Sequence, residues 1–220
     1  MNKIVIAIDG PAGAGKSTIS KIIASRLGIE YIDTGAMYRA ATLKAIRSNV
    51  ALGDKESLDS MLEKTSIEFK DRRLILDGED VSEEIRLPYV SKNVSEVSAV
   101  PEVRLRLVEL QRKMASTGGV IMDGRDIGTN VLKDADLKVF LTASIEERAH
   151  RRYAELKEKG LDVSFEKICC DIEARDNYDS SRKVNPLCKA EDAVLLDSTS
   201  KSIEQVVDEI ISLAKPLLRE

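Results

Sequence analysis

Five short apolar runs punctuate the chain, and between them apolar residues recur at helical spacing. Ile4-Val5-Ile6-Ala7-Ile8 is continuous, as expected of a parallel strand buried on both faces. Ile29–Ile32 predicts a short second strand. Gly119-Val120-Ile121-Met122-Asp123 predicts a third that ends on a carboxylate, Leu137–Leu141 a fourth and Val194-Leu195-Leu196 a last. Ile19, Ile22, Ile23 and Leu27 line one face of a helix after the first strand, with Gly28 as its stop. Helical periodicity returns from about Ala36 to Ile46. It returns again behind Pro101, which the first turn of a helix tolerates, through Val103, Leu107, Leu110 and Met114. Ser144 with Glu147, and Ser202 with Gln205, read as capping boxes; the second opens a helix carrying Ile203, Val206, Val207, Ile210 and Ala214 on one face. Strands alternating with helices predict a doubly wound α/β fold on a five-stranded parallel sheet. Ser66–Leu76 breaks the rhythm. It predicts a small β-hairpin turning at Asp71-Arg72-Arg73 between helical pieces, an insertion outside the main sheet.

Composition narrows the class without changing the fold. The 220 residues suit one such domain with an insertion. Charged residues make up 33% of the chain, but the signs are interspersed and the formal net charge is −4. That pattern argues against a nucleic-acid surface or a polybasic membrane patch. No apolar run approaches the ~20 residues that span a bilayer. The N-terminus runs straight into a strand without a signal-peptide pattern, so a cytoplasmic protein is expected. Cys169, Cys170 and Cys188 lack metal-site spacing and read as reduced thiols. The single histidine, His150, lies among arginines in a helical stretch and reads as a solvated helix residue.

Chemistry enters after the first strand. Gly10-Pro11-Ala12-Gly13-Ala14-Gly15-Lys16-Ser17-Thr18 matches the phosphate-binding loop pattern through Gly10, Gly15, Lys16 and Ser17. With glycine at about 7% of residues, a chance match in a chain of this length is on the order of 1%. Glycines let successive backbone N–H groups point at one anion. Lys16 adds a full positive charge for the outer phosphates, and the Ser17 hydroxyl is a hard-oxygen ligand suited to Mg²⁺. The helix that starts here aims its positive end at the same place. Strand, glycine loop and helix occur in the order the mechanism requires.

A phosphoryl transferase acting on a phosphorylated acceptor must bring two anions together. Arginine, planar and always charged, answers that need. Asp33-Thr34-Gly35-Ala36-Met37-Tyr38-Arg39 follows the second strand, and Asp123-Gly124-Arg125-Asp126 follows the third. Arg125, at a strand end beside a glycine, reads as functional, and Asp123 as a carboxylate behind a Mg²⁺ site. Arg148, Arg151 and Arg152 share a helical face, for which a solvated surface is the expectation at Arg148. Arg175, Asp176, Asp179 and Arg182 form a further charged cluster.

Taken together, these segments are familiar. Ile8-Asp9-Gly10-Pro11, Asp33 to Arg39, Gly78-Glu79-Asp80-Val81-Ser82, Glu84-Ile85-Arg86, Asp123 to Thr129, Glu147 to Arg152 and Leu196-Asp197-Ser198-Thr199 carry the resemblance. The chain resembles the bacterial cytidylate kinases, a branch of the nucleoside monophosphate kinases, nearly end to end. That resemblance implies transfer of the ATP γ-phosphoryl group to CMP or dCMP with Mg²⁺, by a cytoplasmic monomer of pyrimidine nucleotide metabolism. It implies ATP binding by Gly10 to Thr18, with Arg151 or Arg152 reaching the phosphates. It implies acceptor-phosphate binding by Arg39, Arg125 and Arg182, with Thr34 nearby. Ser95, Arg104 and Asp126 would read the cytosine, and Arg175 and Asp179 the sugar. It also implies a core over about 1–34, 117–150 and 169–220, a monophosphate-binding insertion over about 35–116 and a mobile lid over about 151–168. Thr34 stands where the family commonly has serine, and Asn177-Tyr178 and Ser180-Ser181 stand where relatives often carry more charge.

Two other classes stay open on the residues alone. One is a phosphate-loop kinase with a different small acceptor, such as another nucleoside monophosphate or shikimate. The other is a GTPase switch, which reads guanine through Asn-Lys-x-Asp after a late core strand; the one Asn-Lys pair here is Asn2-Lys3, at the opposite end and without the Asp. For the cytosine assignment the chemistry is explicit. An ionised Asp126 only accepts hydrogen bonds, so it favours the cytosine amino group over the uracil carbonyl. One such mismatch costs about 1–3 kcal/mol, on the order of 10–100-fold in preference. Asp126→Ala is therefore expected to lower CMP turnover far more than UMP turnover in a coupled kinase assay; an equal fall would make Asp126 structural.

Overall fold

In the computed structural model, which describes residues 3–158 and 160–218, β1 (Val5–Asp9) occupies the middle of the main sheet. The expected core and lid also take in residues 1, 2, 159, 219 and 220, and Asn2 with them; these lie outside the described residues. β1 pairs in parallel with β6 (Val120–Gly124) on one side and β7 (Leu137–Thr142) on the other. Strands on both edges and helices on both faces leave no water-facing side, which is why its run is apolar throughout. β2 (Glu30–Asp33) lies beyond β6, and β8 (Val194–Asp197) pairs in parallel with β7, giving the order β2-β6-β1-β7-β8. The chain leaves β1 towards one edge for β2 and β6, then crosses to the other for β7 and β8. The carboxyl end of β1 is thus the switch point where ligands collect in such sheets.

The chain divides into two compact units, one of Ile32–Ser116 and one formed by the segments on either side of it. In the flanking unit, Ile6, Ile8, Ile121, Val139 and Leu141 of the sheet pack against Ile19 and Ile23 of α1 (Lys16–Leu27). Val206, Val207 and Ile210 of the final helix close the same core. The unit of Ile32–Ser116 holds α2 (Thr34–Arg47), α3 (Lys55–Glu63), α4 (Pro88–Ala99) and α5 (Pro101–Ala115), with α2 packed on α4 and α3 on α5. Its hairpin is β3 (Ile67–Lys70) and β4 (Arg73–Leu76), turning through Asp71 and Arg72, both at positive φ. A third strand, β5 (Glu79–Asp80), adds to the hairpin; two charged residues gave no apolar signal for it.

α6 (Ile145–Glu158) and α7 (Phe165–Ser181) form a helical pair joined by a small cluster of Ala149, Ile168 and Ile172 with Tyr153, Leu156 and Phe165 around it. His150 is exposed on α6, its ring 4.5 Å from that of Phe165. Only half of the Ser144 capping box forms. Ser144 Oγ accepts from Glu147 N–H, but Ser144 N–H goes to Thr199 Oγ1 and the Glu147 carboxylate takes Arg151 instead. The Ser202–Gln205 box on α8 (Ile203–Ala214) is complete in both directions. β8 is an edge strand, with Leu195 61% exposed, so its apolar run does not signify burial on both faces. Among the described residues no helix is long and apolar enough to cross a membrane.

Gly10, at the end of β1, tests how tightly the switch point is built. It sits at φ +149, and a Cβ there would lie 1.9 Å from the Leu141 carbonyl oxygen, a backbone atom that cannot swing away. Gly28, also at positive φ, has nothing within 4 Å. Urea unfolding is expected to show Gly10→Ala destabilised by about 4 kcal/mol or more. Gly28→Ala, with only the left-handed backbone to strain, is expected to cost about 1–2 kcal/mol.

Candidate active site

Between Asp9 and Lys16 the backbone curls through positive φ at Gly10, Gly13 and Gly15. Gly15 is the N-cap of α1 and offers no side-chain cap, and the first turn carries no acidic residue. The leading N–H groups of α1 are therefore left for an anion, with the helix dipole behind them. Lys16 Nζ lies inside the loop, donating to the carbonyls of Gly10 and Pro11 at 2.8 Å each. Burial pushes its ammonium down to about 7; neighbouring Arg125 adds to the fall, while Asp123 and Asp9 oppose it. Pro11 and Ala14 are buried, whereas Gly13 and Thr18 face solvent.

The carboxyl ends of β1 and β6 supply the acids. Asp123 accepts from Ser17 Oγ at 3.0 Å and from the Tyr31 hydroxyl at 2.7 Å. A hydroxyl on the phosphate loop and a carboxylate fixed behind it form an all-oxygen set, which suits a hard cation such as Mg²⁺. Asp9 is buried and accepts from the N–H groups of Ile127 and Gly128, both at 2.7 Å. Burial pushes its carboxyl up to about 6 in spite of those two donors.

α6 supplies three arginines with three different roles. Arg148, expected on a solvated face, is only 4% exposed. Its guanidinium donates to Ala12 O at 2.9 Å and Ala143 O at 3.0 Å, and pairs with Asp176 of α7 at 2.7 Å. Its Cβ would lie 3.2 Å from a Cβ on Gly13, so the loop rests directly on this side chain. Arg151 reaches Ala14 O at 3.4 Å and Ser198 O at 2.9 Å, beside Gly15. Arg152 pairs with Glu155 on the exposed side of α6.

On α7, Asp179 gathers arginines. Arg125 Nε donates to it at 2.9 Å, and Arg175 and Arg182 each lie 4.0 Å away. Burial works to raise the Asp179 pKa, but the three guanidinium groups outweigh it and hold the carboxyl below its ordinary value. One carboxylate among three guanidiniums leaves a local surplus of positive charge, as an anionic ligand requires. Asp126, also buried, heads a π-helical turn over Ile127–Val131.

Within the unit of Ile32–Ser116, Thr34 is buried at the start of α2 and Arg39 donates to Ser91 Oγ at 2.6 Å and Ile85 O at 3.3 Å. Arg104 is buried, donates to Ser98 O at 3.2 Å and stacks 5.4 Å from the Tyr38 ring centre. Ser95 lies on α4, half-buried. Sequence reasoning missed Arg148 as the rest under the loop, Tyr31 as a second hold on Asp123, and Asp9 as an anchor for the turn after Asp126. None of the three gave a local signal, because Arg148 meets Ala12, Tyr31 meets Asp123 and Asp9 meets Ile127 across 136, 92 and 118 residues of sequence.

Comparison with known proteins gives one family. The family model for cytidylate kinase matches residues 6–216. A cytidylate kinase of Desulfitobacterium hafniense is 58% identical over 211 residues, covering 94% of this chain and 91% of that protein. One of Caldanaerobacter subterraneus subsp. tengcongensis is 56% identical over 207 residues, covering 94% and 92%. The crystal structure of an uncharacterized protein from Eubacterium ventriosum is similar in fold, with a TM-score of 0.56 at 14% identity over 97% of this chain and 99% of that one.

The buried Lys16 has a measurable consequence. Folded, it releases its proton near pH 7, against an ordinary value of 10.5. Its burial therefore costs stability in full below the folded value, and the cost disappears as pH rises through the ordinary one. A polyanion in the loop reverses the shift. Calorimetric titration with ATP at about pH 8, in buffers of different ionisation heat, is expected to show uptake of about one proton per site. The uptake is expected to vanish in Lys16→Met; an uptake unchanged in that variant would place the titrating group elsewhere.

Proposed function

The chain belongs to the cytidylate kinase family and is a phosphotransferase, and from that premise we propose how its own residues move the ATP γ-phosphoryl group to CMP or dCMP. The observation that carries the proposal is the Lys16 ammonium seated inside the glycine loop, against the Gly10 and Pro11 carbonyls. On the donor side, backbone N–H groups from Gly10 to Thr18 cradle the phosphates and Lys16 turns from the loop carbonyls to the outer phosphate oxygens. Arg151 adds charge there; its contacts with Ala14 and its place beside Gly15 support it over Arg152. Ser17, with Asp123 behind it, would hold Mg²⁺, whose charge offsets that of the outer phosphates.

On the acceptor side, Arg39, Arg125 and Arg182 take the monophosphate, with Thr34 beside the start of α2. Arg175 and Asp179 take the sugar. Ser95, Arg104 and Asp126 read the cytosine. The charge surplus around Asp179 and the burial of Asp126 and Arg104 support these roles. Residues 35–116 are then the monophosphate-binding insertion, 151–168 the lid, and the remainder the core.

The acceptor phosphate oxygen attacks the γ-phosphorus in line. Its new P–O bond forms as the bond to the β-phosphate oxygen breaks, and that oxygen leaves with the electron pair as part of ADP. The transferred group passes through a loose transition state with charge spread over its oxygens, so positioning and fixed positive charge do most of the work. An acceptor phosphate is already ionised near neutral pH and needs no general base. Closing residues 151–168 over the donor excludes water, the competing acceptor.

An acceptor screen with Mg-ATP and coupled ADP detection tests the proposal. CMP and dCMP are expected to turn over fastest among nucleoside monophosphates and shikimate, and ATP without acceptor hardly at all. Lys16→Ala is expected to lower turnover by about 10²–10³-fold. Fast ATP hydrolysis without an acceptor, or a purine acceptor preferred to CMP, would overturn the assignment.

A further inference from the structure

Asp126 is held twice over. From β1, the Asp9 carboxylate takes the N–H groups of Ile127 and Gly128, which fixes the backbone immediately after Asp126. From the far end of the π-helical turn, Asn130 Nδ2 donates to Asp126 Oδ2 at 3.0 Å. The wide turn makes the second contact possible. The amides of Asn130 and Val131 both reach the Asp126 carbonyl, at 3.0 and 3.2 Å, so the side chains at 126 and 130 stack along one edge. Nothing in the transfer step requires Asn130.

The chemistry of the pair is directional. An ionised carboxylate offers acceptors only, so it is the NH₂ end of the Asn130 amide that must face it. A donor in that position ties the carboxylate's rotamer to the turn. An apolar residue at 130 would leave the carboxylate without that hold. We propose that Asn130 is a specificity-determining positioning residue, which by donating to Asp126 Oδ2 holds that carboxylate in one orientation and so favours cytosine over uracil. The inference rests on Asp126 reading the base.

The test is the ratio of kcat/KM for CMP to that for UMP, measured on the wild-type enzyme and on Asn130→Leu, Asn130→Ser and Asp126→Ala. Asn130→Leu is expected to lower the ratio by about tenfold, the size of one misplaced hydrogen bond at a buried acceptor. The fall is expected in KM for CMP, with KM for ATP unchanged, a split that general loosening of the fold would not produce. Asn130→Ser draws the donor back from the 3.0 Å contact and is expected to lower the ratio several-fold, so it stands in if the leucine variant fails to fold. If Asp126→Ala collapses the ratio while both Asn130 variants keep it, the inference falls and the role of Asp126 stands. If Asp126→Ala leaves the ratio intact, Asp126 does not read the base and both fall together.

Discussion

A full positive charge taken out of water at the carboxyl end of β1 sets the terms for what surrounds it. Removing an ammonium from water costs several kcal/mol unless polar partners replace the lost solvent. Lys16 finds two carbonyls in its own loop, and Asp9 and Asp123 in the adjacent strand ends. This solution requires the backbone to wrap round the amine. That in turn requires Gly10 to pass against the Leu141 carbonyl, closer than any side chain permits. Burial pulls the Lys16 pKa below its ordinary value, and the negative charge of a polyphosphate acts in the opposite direction.

A loop so curled needs a floor, and Arg148 provides it. One buried guanidinium holds Ala12 of the loop, Ala143 at the end of β7 and Asp176 of α7. Its planar fork allows three partners in different directions, which a lysine could not match. The same helix carries Arg151 to the loop, and the neighbouring helix carries Asp179 with its arginines. The loop and the arginine cluster of this unit are thus joined through two packed helices. Rigid supports matter here because transfer depends on alignment more than on covalent chemistry.

What could be read from the chain was what its local pattern encodes. The continuous apolar run of β1, the glycine spacing of the loop and the Ser202–Gln205 box are each complete within a few residues, and each appears in the structure as expected. The Asp71-Arg72 turn also announced its hairpin, since both residues adopt the positive φ that ends a strand. The misses share a different cause. β5 consists of two charged residues paired only because β4 is beside them. α7 is rich in polar residues on several faces, since it packs on α6 through a small cluster and keeps its charge for Asp176, Asp179 and their partners. Arg148 looked like one more helix-surface arginine because two of its three partners, Ala12 and Asp176, come from other segments. For the same reason Glu147 looked like half of a capping box, when Arg151 had a stronger claim on its carboxylate.

The distribution of charge explains how a chain of net −4 serves two anionic substrates. Charges beyond about 8 Å are largely screened at physiological ionic strength, so an arriving phosphate responds to the local balance and not to the total. That balance is positive around Asp179, where three guanidinium groups face one carboxylate. Buried carboxylates sharpen the same distinction. Asp179 fixes the arginines in place without cancelling them, and Asn130 holds the Asp126 carboxylate at the edge of the turn that follows β6. On the reading proposed above, the arginines select for phosphate and Asp126 for a donor on the base, and a nucleotide that carries both satisfies the set.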